Sequence, residues 1–253
     1  MLLPQKSLLL QVSRLFPDGL FFLPTQERVV ALTIDDVPTP GDADDRSTRQ
    51  ILDAIAVHNQ NALHSARATF FIISSHLNSG STVFQDALAQ GHELANHGTA
   101  DTTAALLYPN AFTAHFREAH DRITDRFQQP LRWYRPGRGL YNQAMLSHLQ
   151  LTPGYESRFA LASMIPFDTF RPTNDPTFTF WYLSQFVFPG AILLLHGGSA
   201  ERSRQTAQVL SVLLRLLDEQ GYEVVSLSEL YDRCALSILK RREGDDEAGE
   251  SKG

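Results

Sequence analysis

The chain has 253 residues, 43% of them hydrophobic, and a formal net charge of −6. That is enough apolar material for a substantial core, and the wrong sign for a surface that neutralises nucleic-acid phosphates. A single cysteine, Cys234, excludes an internal disulfide and any cysteine-rich metal site, and no run reaches the roughly 18 apolar residues that a membrane-spanning helix requires.

The first apolar stretch, Leu8 to Leu10, follows Lys6 but is broken by Gln11 and Arg14, and no small-residue cleavage site comes after it. It reads as an N-terminal helix, Gln5 to Phe16, packing its leucines on the rest of the chain rather than as a secretion signal, and a cytoplasmic location follows as the default. Val29-Val30-Ala31-Leu32-Thr33-Ile34-Asp35-Asp36 is a β-branched, apolar run that ends in two adjacent carboxylates. A buried strand that delivers acids to its C-terminal end is how α/β enzymes present a metal ligand beside a base, although such a pair can also cap the next helix.

A helix is predicted over Arg46 to Val57, a polar surface loop over His58 to Ser65, a strand over 68–73 and a helix over Ser81 to Gln90. His97 and Asp101 then stand at the i,i+4 spacing, which on a helix places both on one face within reach of a single ion, or makes them an ordinary solvated pair. The helix Ala111 to Arg126 carries His115 and His120 on its expected solvent face, and Trp133 and Tyr134, beside Arg135, are candidates to line a pocket. The cluster Phe178, Phe180, Trp181 and Tyr182 reads as core. A second apolar strand, 191–195, ends in His196 before Gly197-Gly198, followed by a helix over Ser203 to Gln220 and a strand over 222–227. The last segment, 240–253, is charged, lacks apolar periodicity and reads as a disordered tail.

Five of these segments, in this order, resemble the polysaccharide deacetylase family, the NodB-homology carbohydrate esterases, from about Glu27 to Leu230. Thr33-Ile34-Asp35-Asp36-Val37 is similar to the family's Thr-Phe-Asp-Asp-Gly, and Ala68-Thr69-Phe70-Phe71 to its Ala-Thr-Phe-Phe strand. Gly91-His92-Glu93-Leu94-Ala95-Asn96-His97 looks like Gly-His-Glu-Ile-Gly-Asn-His, Arg135-Pro136-Gly137 like Arg-Pro-Pro, and Leu194-Leu195-His196 like the final histidine motif. The alternation of strands and helices implies parallel βαβ units, and the resemblance adds an α/β fold of the distorted, incomplete (β/α) barrel type, with its site at the C-terminal ends of the strands. The expected division is a helical extension over 1–26, a catalytic domain over 27–239 and the tail over 240–253.

Carried over residue by residue, the resemblance makes Asp36 and His97 metal ligands, with Asp101 as the third. It makes Asp35 the general base, Arg135 the residue that holds Asp35, His196 the general acid and Asp168 an acid behind the site, where a turn or cap residue is the plainer alternative. Tyr134 and Arg138 fall at the substrate and oxyanion positions. Asp101 replaces the usual second histidine, Val37 a glycine, and Gly137-Arg138 a proline and an aromatic residue. The implied cofactor is one divalent ion, zinc first, with cobalt, manganese or iron as alternatives that a carboxylate-rich set accommodates. The implied activity is hydrolysis of the N-acetyl amide of an N-acetylglucosamine-containing poly- or oligosaccharide, with a carbohydrate as partner and the oligomeric state left open. The rival expectations are hydrolysis of a cyclic amide or formamide by the same groups, and a non-catalytic carbohydrate-binding role.

Overall fold

The computed structural model describes residues 4–166, 168–170 and 174–236. In chain order the elements are α1 (Pro4–Leu15), β1 (Gly19–Leu20), β2 (Val29–Val37), α2 (Arg46–Asn59), β3 (Ala68–Ile72), α3 (Val83–Ala89) and β4 (Glu93–Asn96). There follow α4 (Pro109–Phe127), α5 (Gln143–Gln150), β5 (Phe159–Ala160), α6 (Pro176–Phe186), β6 (Ile192–His196), α7 (Ala200–Glu219) and β7 (Glu223–Val225). Residues 227–236 are helical, and the expected tail at 240–253 lies outside the described residues.

The main sheet has five parallel strands in the order β4-β3-β2-β6, with β7 pairing β2 at Val29–Ala31. Shorter segments carry the hydrogen bonding round from β4 towards β6. Arg135 N donates to Asn96 O, Ala160 N to Tyr134 O, and Ser163 N and Met164 N to Ile192 O. The two-residue pair β1 and β5 lies outside the main sheet. The result is the distorted, incomplete (β/α) barrel expected from the sequence, with irregular staves where two residues replace a full strand.

Strand alternation divides the buried residues into two apolar cores. Val30, Leu32 and Ile34 of β2, Phe70 and Ile72 of β3, and Leu193 and Leu195 of β6 face the helices and join the larger core with α2, α4 and α7. Val29 and Ala31, Phe71, Ala95, Trp133, Ala160, Ile192 and Leu194 form the smaller, inner core. Continuing that inner face upward, two residues at a time, gives Thr33 and Asp35 on β2, His97 after β4, Arg135 after Trp133, and His196 on β6. The apolar floor therefore places the ionisable groups at the mouth, where the strands end.

Three expectations are corrected here. The aromatic cluster of α6 is core only in part: Phe180 and Tyr182 pack against the larger core, Trp181 is 50% exposed, and Phe178, Trp181, Tyr182 and Phe186 also pack on one another. Trp133 sits in the inner core with its indole N–H donating to Ser228 Oγ at 2.8 Å, below the mouth. His115 and His120 are not simply solvent-facing: His115 Nδ1 lies 3.0 Å from the Thr99 hydroxyl, and His120 Nδ1 lies 3.0 Å from the Tyr155 hydroxyl. Along α1, Leu9 and Leu10 pack against the larger core, whereas Leu8 is 62% exposed. No helix among the described residues is long and apolar enough to cross a membrane.

Candidate active site

At the end of β2 the two adjacent acids reach the same mouth by different means. Asp35 follows the strand alternation, whereas Asp36 would point to the opposite face if the strand continued regularly. The β2–β3 register shifts between Ile34 and Val37, and Asp36 adopts φ 64°. This bulge turns its carboxylate back towards the mouth. Such a left-handed non-glycine conformation is costly and is characteristic of functional turns.

Asp35 is buried and bound to the Arg135 guanidinium, Nη1 to Oδ1, at 2.5 Å. The same guanidinium donates to Thr33 Oγ1 at 2.9 Å, to Ala160 O at 2.8 Å and to Leu161 O at 3.0 Å, and it lies 4.0 Å above the Phe71 ring. Every arm of Arg135 is thus fixed, and the buried cation keeps Asp35 oriented. Thr33 was not singled out in the sequence, although its place two residues before Asp35 on the inner face was the available signal.

His97 donates from Nδ1 to Arg135 O at 2.8 Å, which aims Nε2 at the two acids: 3.3 Å to Asp36 Oδ1 and 3.7 Å to Asp35 Oδ2. Burial opposes charging this imidazole, but the Asp35 and Asp36 carboxylates outweigh it and raise its pKa. Burial likewise opposes the Asp36 anion, yet His97, His196 and Arg202 hold that carboxyl well below the usual carboxylate range. On the neighbouring strand, His196 is in register with Asp35. Its Nδ1 lies 2.7 Å from Asp168 Oδ1, and its backbone N–H donates to Asp168 Oδ2 at 3.2 Å. Burial acts to lower the His196 pKa, but Asp168, Asp35 and Asp36 raise it.

Asp101 and Tyr134 do not join this group. The chain leaves His97 through Gly98 at φ 89°, with Asn96 Oδ1 accepting the Gly98 N–H at 2.7 Å, so a turn replaces the helix that would have stacked Asp101 over His97. Asp101 is 60% exposed and pairs with Arg138 at 3.1 Å, which is itself 52% exposed. Gly137 makes this meeting of loops possible, since a Cβ there would lie 2.3 Å from Thr102 O. Tyr134 is one residue out of phase with Arg135 and faces the larger core, packed on Phe112, Phe116 and Phe159. Arg138, at φ 59°, stays at the rim. A residue absent from the sequence reading does reach the site: Arg202 Nη1 donates to Asp36 Oδ2 at 3.2 Å.

Among the described residues no set of three His, Cys, Asp or Glu side chains is arranged to hold a metal ion. Asp36 and His97 nevertheless fit one as a two-donor anchor. The hydrogen bond from His97 Nδ1 leaves Nε2 as the free donor, and it converges with a carboxylate, a pairing that suits a divalent ion.

The chain is 27% identical over 208 residues to the peptidoglycan-N-acetylglucosamine deacetylase of Bacillus cereus, covering 82% of this chain and 90% of the relative. It is 28% identical over 226 residues to a chitooligosaccharide deacetylase of Bradyrhizobium sp., covering 81% and 91%. Its fold superimposes on the peptidoglycan deacetylase PdaC from Bacillus subtilis with a TM-score of 0.68 at 21% identity, covering 89% of this chain and 98% of the other. The model of the polysaccharide deacetylase family matches residues 23–154, from before β2 to beyond α5, and the chain belongs to that family.

Proposed function

We propose that the protein hydrolyses the N-acetyl amide of an N-acetylglucosamine-containing poly- or oligosaccharide, of the chitin type, releasing acetate and a free amine, with a divalent ion held by Asp36 and His97. The observation that carries this reading is a base and an acid in register on adjacent strands: Asp35 fixed by Arg135, and His196 backed by Asp168. A saccharide-binding surface needs neither.

When bound, the ion would supply Lewis acidity that polarises the acyl carbonyl. Asp35, held in place by Arg135, takes a proton from the attacking water. The Arg138 backbone N–H would serve as the donor to the developing oxyanion, a role in which single donors are typically worth about 10²- to 10³-fold. His196, with Nδ1 committed to Asp168, presents Nε2 as the acid that protonates the departing nitrogen, typically worth about 10²- to 10⁴-fold. Water is consumed, the C–N bond breaks, and acetate and the amino sugar leave.

Acetate release from chitin oligosaccharides, measured beside small cyclic amides and formamides, tests the substrate class. Turnover of the acetylated sugars supports the reading, and turnover confined to the cyclic amides or formamides replaces it. One specific observation favours a second reading, a non-catalytic saccharide-binding protein: Asp101, the expected third ligand, is committed to Arg138. Saccharide binding with no acetate release, with the ion loaded, would establish that alternative.

A further inference from the structure

The family resemblance gives Arg202 no role, yet among the described residues its guanidinium is one of the two that touch the acids Asp35, Asp36 and Asp168. It stands in the first turn of α7, where its backbone N–H donates to the capping Ser199 Oγ at 3.2 Å, and its side chain is 37% exposed. The turn ahead of it packs directly on the acid pair: a Cβ on Gly198 would lie 2.8 Å from Asp36 Cβ. The two oxygens of Asp36 are consequently divided, Oδ1 facing His97 at 3.3 Å and Oδ2 facing Arg202 at 3.2 Å.

Each acid in the mouth thus has its own cationic or imidazole partner: Asp35 with Arg135, Asp36 with Arg202, and Asp168 with His196. A divalent ion arriving at Asp36 meets a carboxylate already shared with a positive charge, and the acid that could offset that charge, Asp101, is occupied outside with Arg138. We propose that Arg202 is a positioning residue that competes with the divalent cation for Asp36, keeping the carboxylate aligned on His97 while leaving the ion weakly held and exchangeable. This rests on the reading of Asp36 and His97 as the ion's ligands.

The sign of one substitution separates this role from a merely structural one. If Arg202 only props Asp36, removing it loosens a ligand and weakens cation binding. If Arg202 competes, removing it tightens binding. Calorimetric titration of the chelator-treated full chain with Zn²⁺ and with Co²⁺ reads the difference, using wild type, Arg202→Gln, the length-matched Arg202→Met and Asp36→Asn. The expected result is a Kd lowered by about threefold to tenfold in both Arg202 variants, the scale of removing one nearby, partly screened charge, with binding lost in Asp36→Asn. Equal or weaker binding in the Arg202 variants, with Asp36→Asn still abolishing it, overturns the competitor role alone. Binding in Asp36→Asn that matches wild type overturns the ligand assignment and the competitor role together.

Discussion

Asp35 and His196 occupy paired positions on the parallel strands β2 and β6, and each is held from behind by an oppositely charged partner, Arg135 at 2.5 Å and Asp168 at 2.7 Å. The site is therefore built as two oriented couples across one strand pairing. The proposed base and acid, Asp35 and His196, are spaced by the sheet pairing itself.

The Arg135 couple makes the strongest stability prediction. Both partners are buried, and the guanidinium also satisfies two carbonyls and Thr33. Arg135→Met should leave Asp35 buried without its cation and destabilise the protein by about 3 kcal/mol, at the lower end for a broken buried pair. Urea unfolding measures this, and a loss below about 1 kcal/mol would place the pair in the weak, exposed class instead.

The His196 couple makes a pH prediction. Because Asp168, Asp35 and Asp36 outweigh burial and raise the His196 pKa, the imidazolium persists to higher pH than that of an ordinary histidine, and turnover is lost as pH rises through that elevated value. Asp168→Asn removes the adjacent negative charge, so the His196 pKa falls and the alkaline limb of kcat moves to lower pH. An alkaline limb that stays in place in Asp168→Asn would show that another group donates the proton.

Asp101 makes a contrasting prediction. As an exposed partner of Arg138 it contributes less than about 1 kcal/mol, and Asp101→Asn should leave Zn²⁺ binding unchanged, whereas His97→Ala should lose it. Equilibrium dialysis distinguishes the two variants. Loss of the ion in Asp101→Asn would mean that the 98–102 turn rearranges to bring the carboxylate in.

Much of this site was legible in the chain because β2 and β6 are long, apolar and end abruptly, so Asp35 and His196 could be placed at strand exits from pattern alone. The failures have specific physical causes. The i,i+4 spacing of His97 and Asp101 implies a helix that Gly98 prevents, and a glycine directly after His97 is the sequence signal of a turn. Tyr134 and Arg135 cannot both face the site, because strand alternation gives the inner face to Arg135 and turns Tyr134 to the larger core. Asp36 reaches the mouth only through a left-handed residue and a bulge, which hydrophobic period does not encode. Arg202 escapes a helix read from Ser203 on apolar period, whereas the Ser199 cap starts α7 at Ala200 and brings Arg202 over Asp36. The pair β1 and β5, two residues each, is too short to leave any pattern.

The central claim is that Asp35 is the base of an amide hydrolase, and it is tested most directly by acetate release from a chitin oligosaccharide by wild type and Asp35→Asn, each assayed for bound divalent ion. The expected result is metal-dependent release by wild type and a loss of at least about 10²-fold in Asp35→Asn with the ion retained, the scale of removing a general base. Full turnover in Asp35→Asn, or no release by ion-loaded wild type, would contradict it.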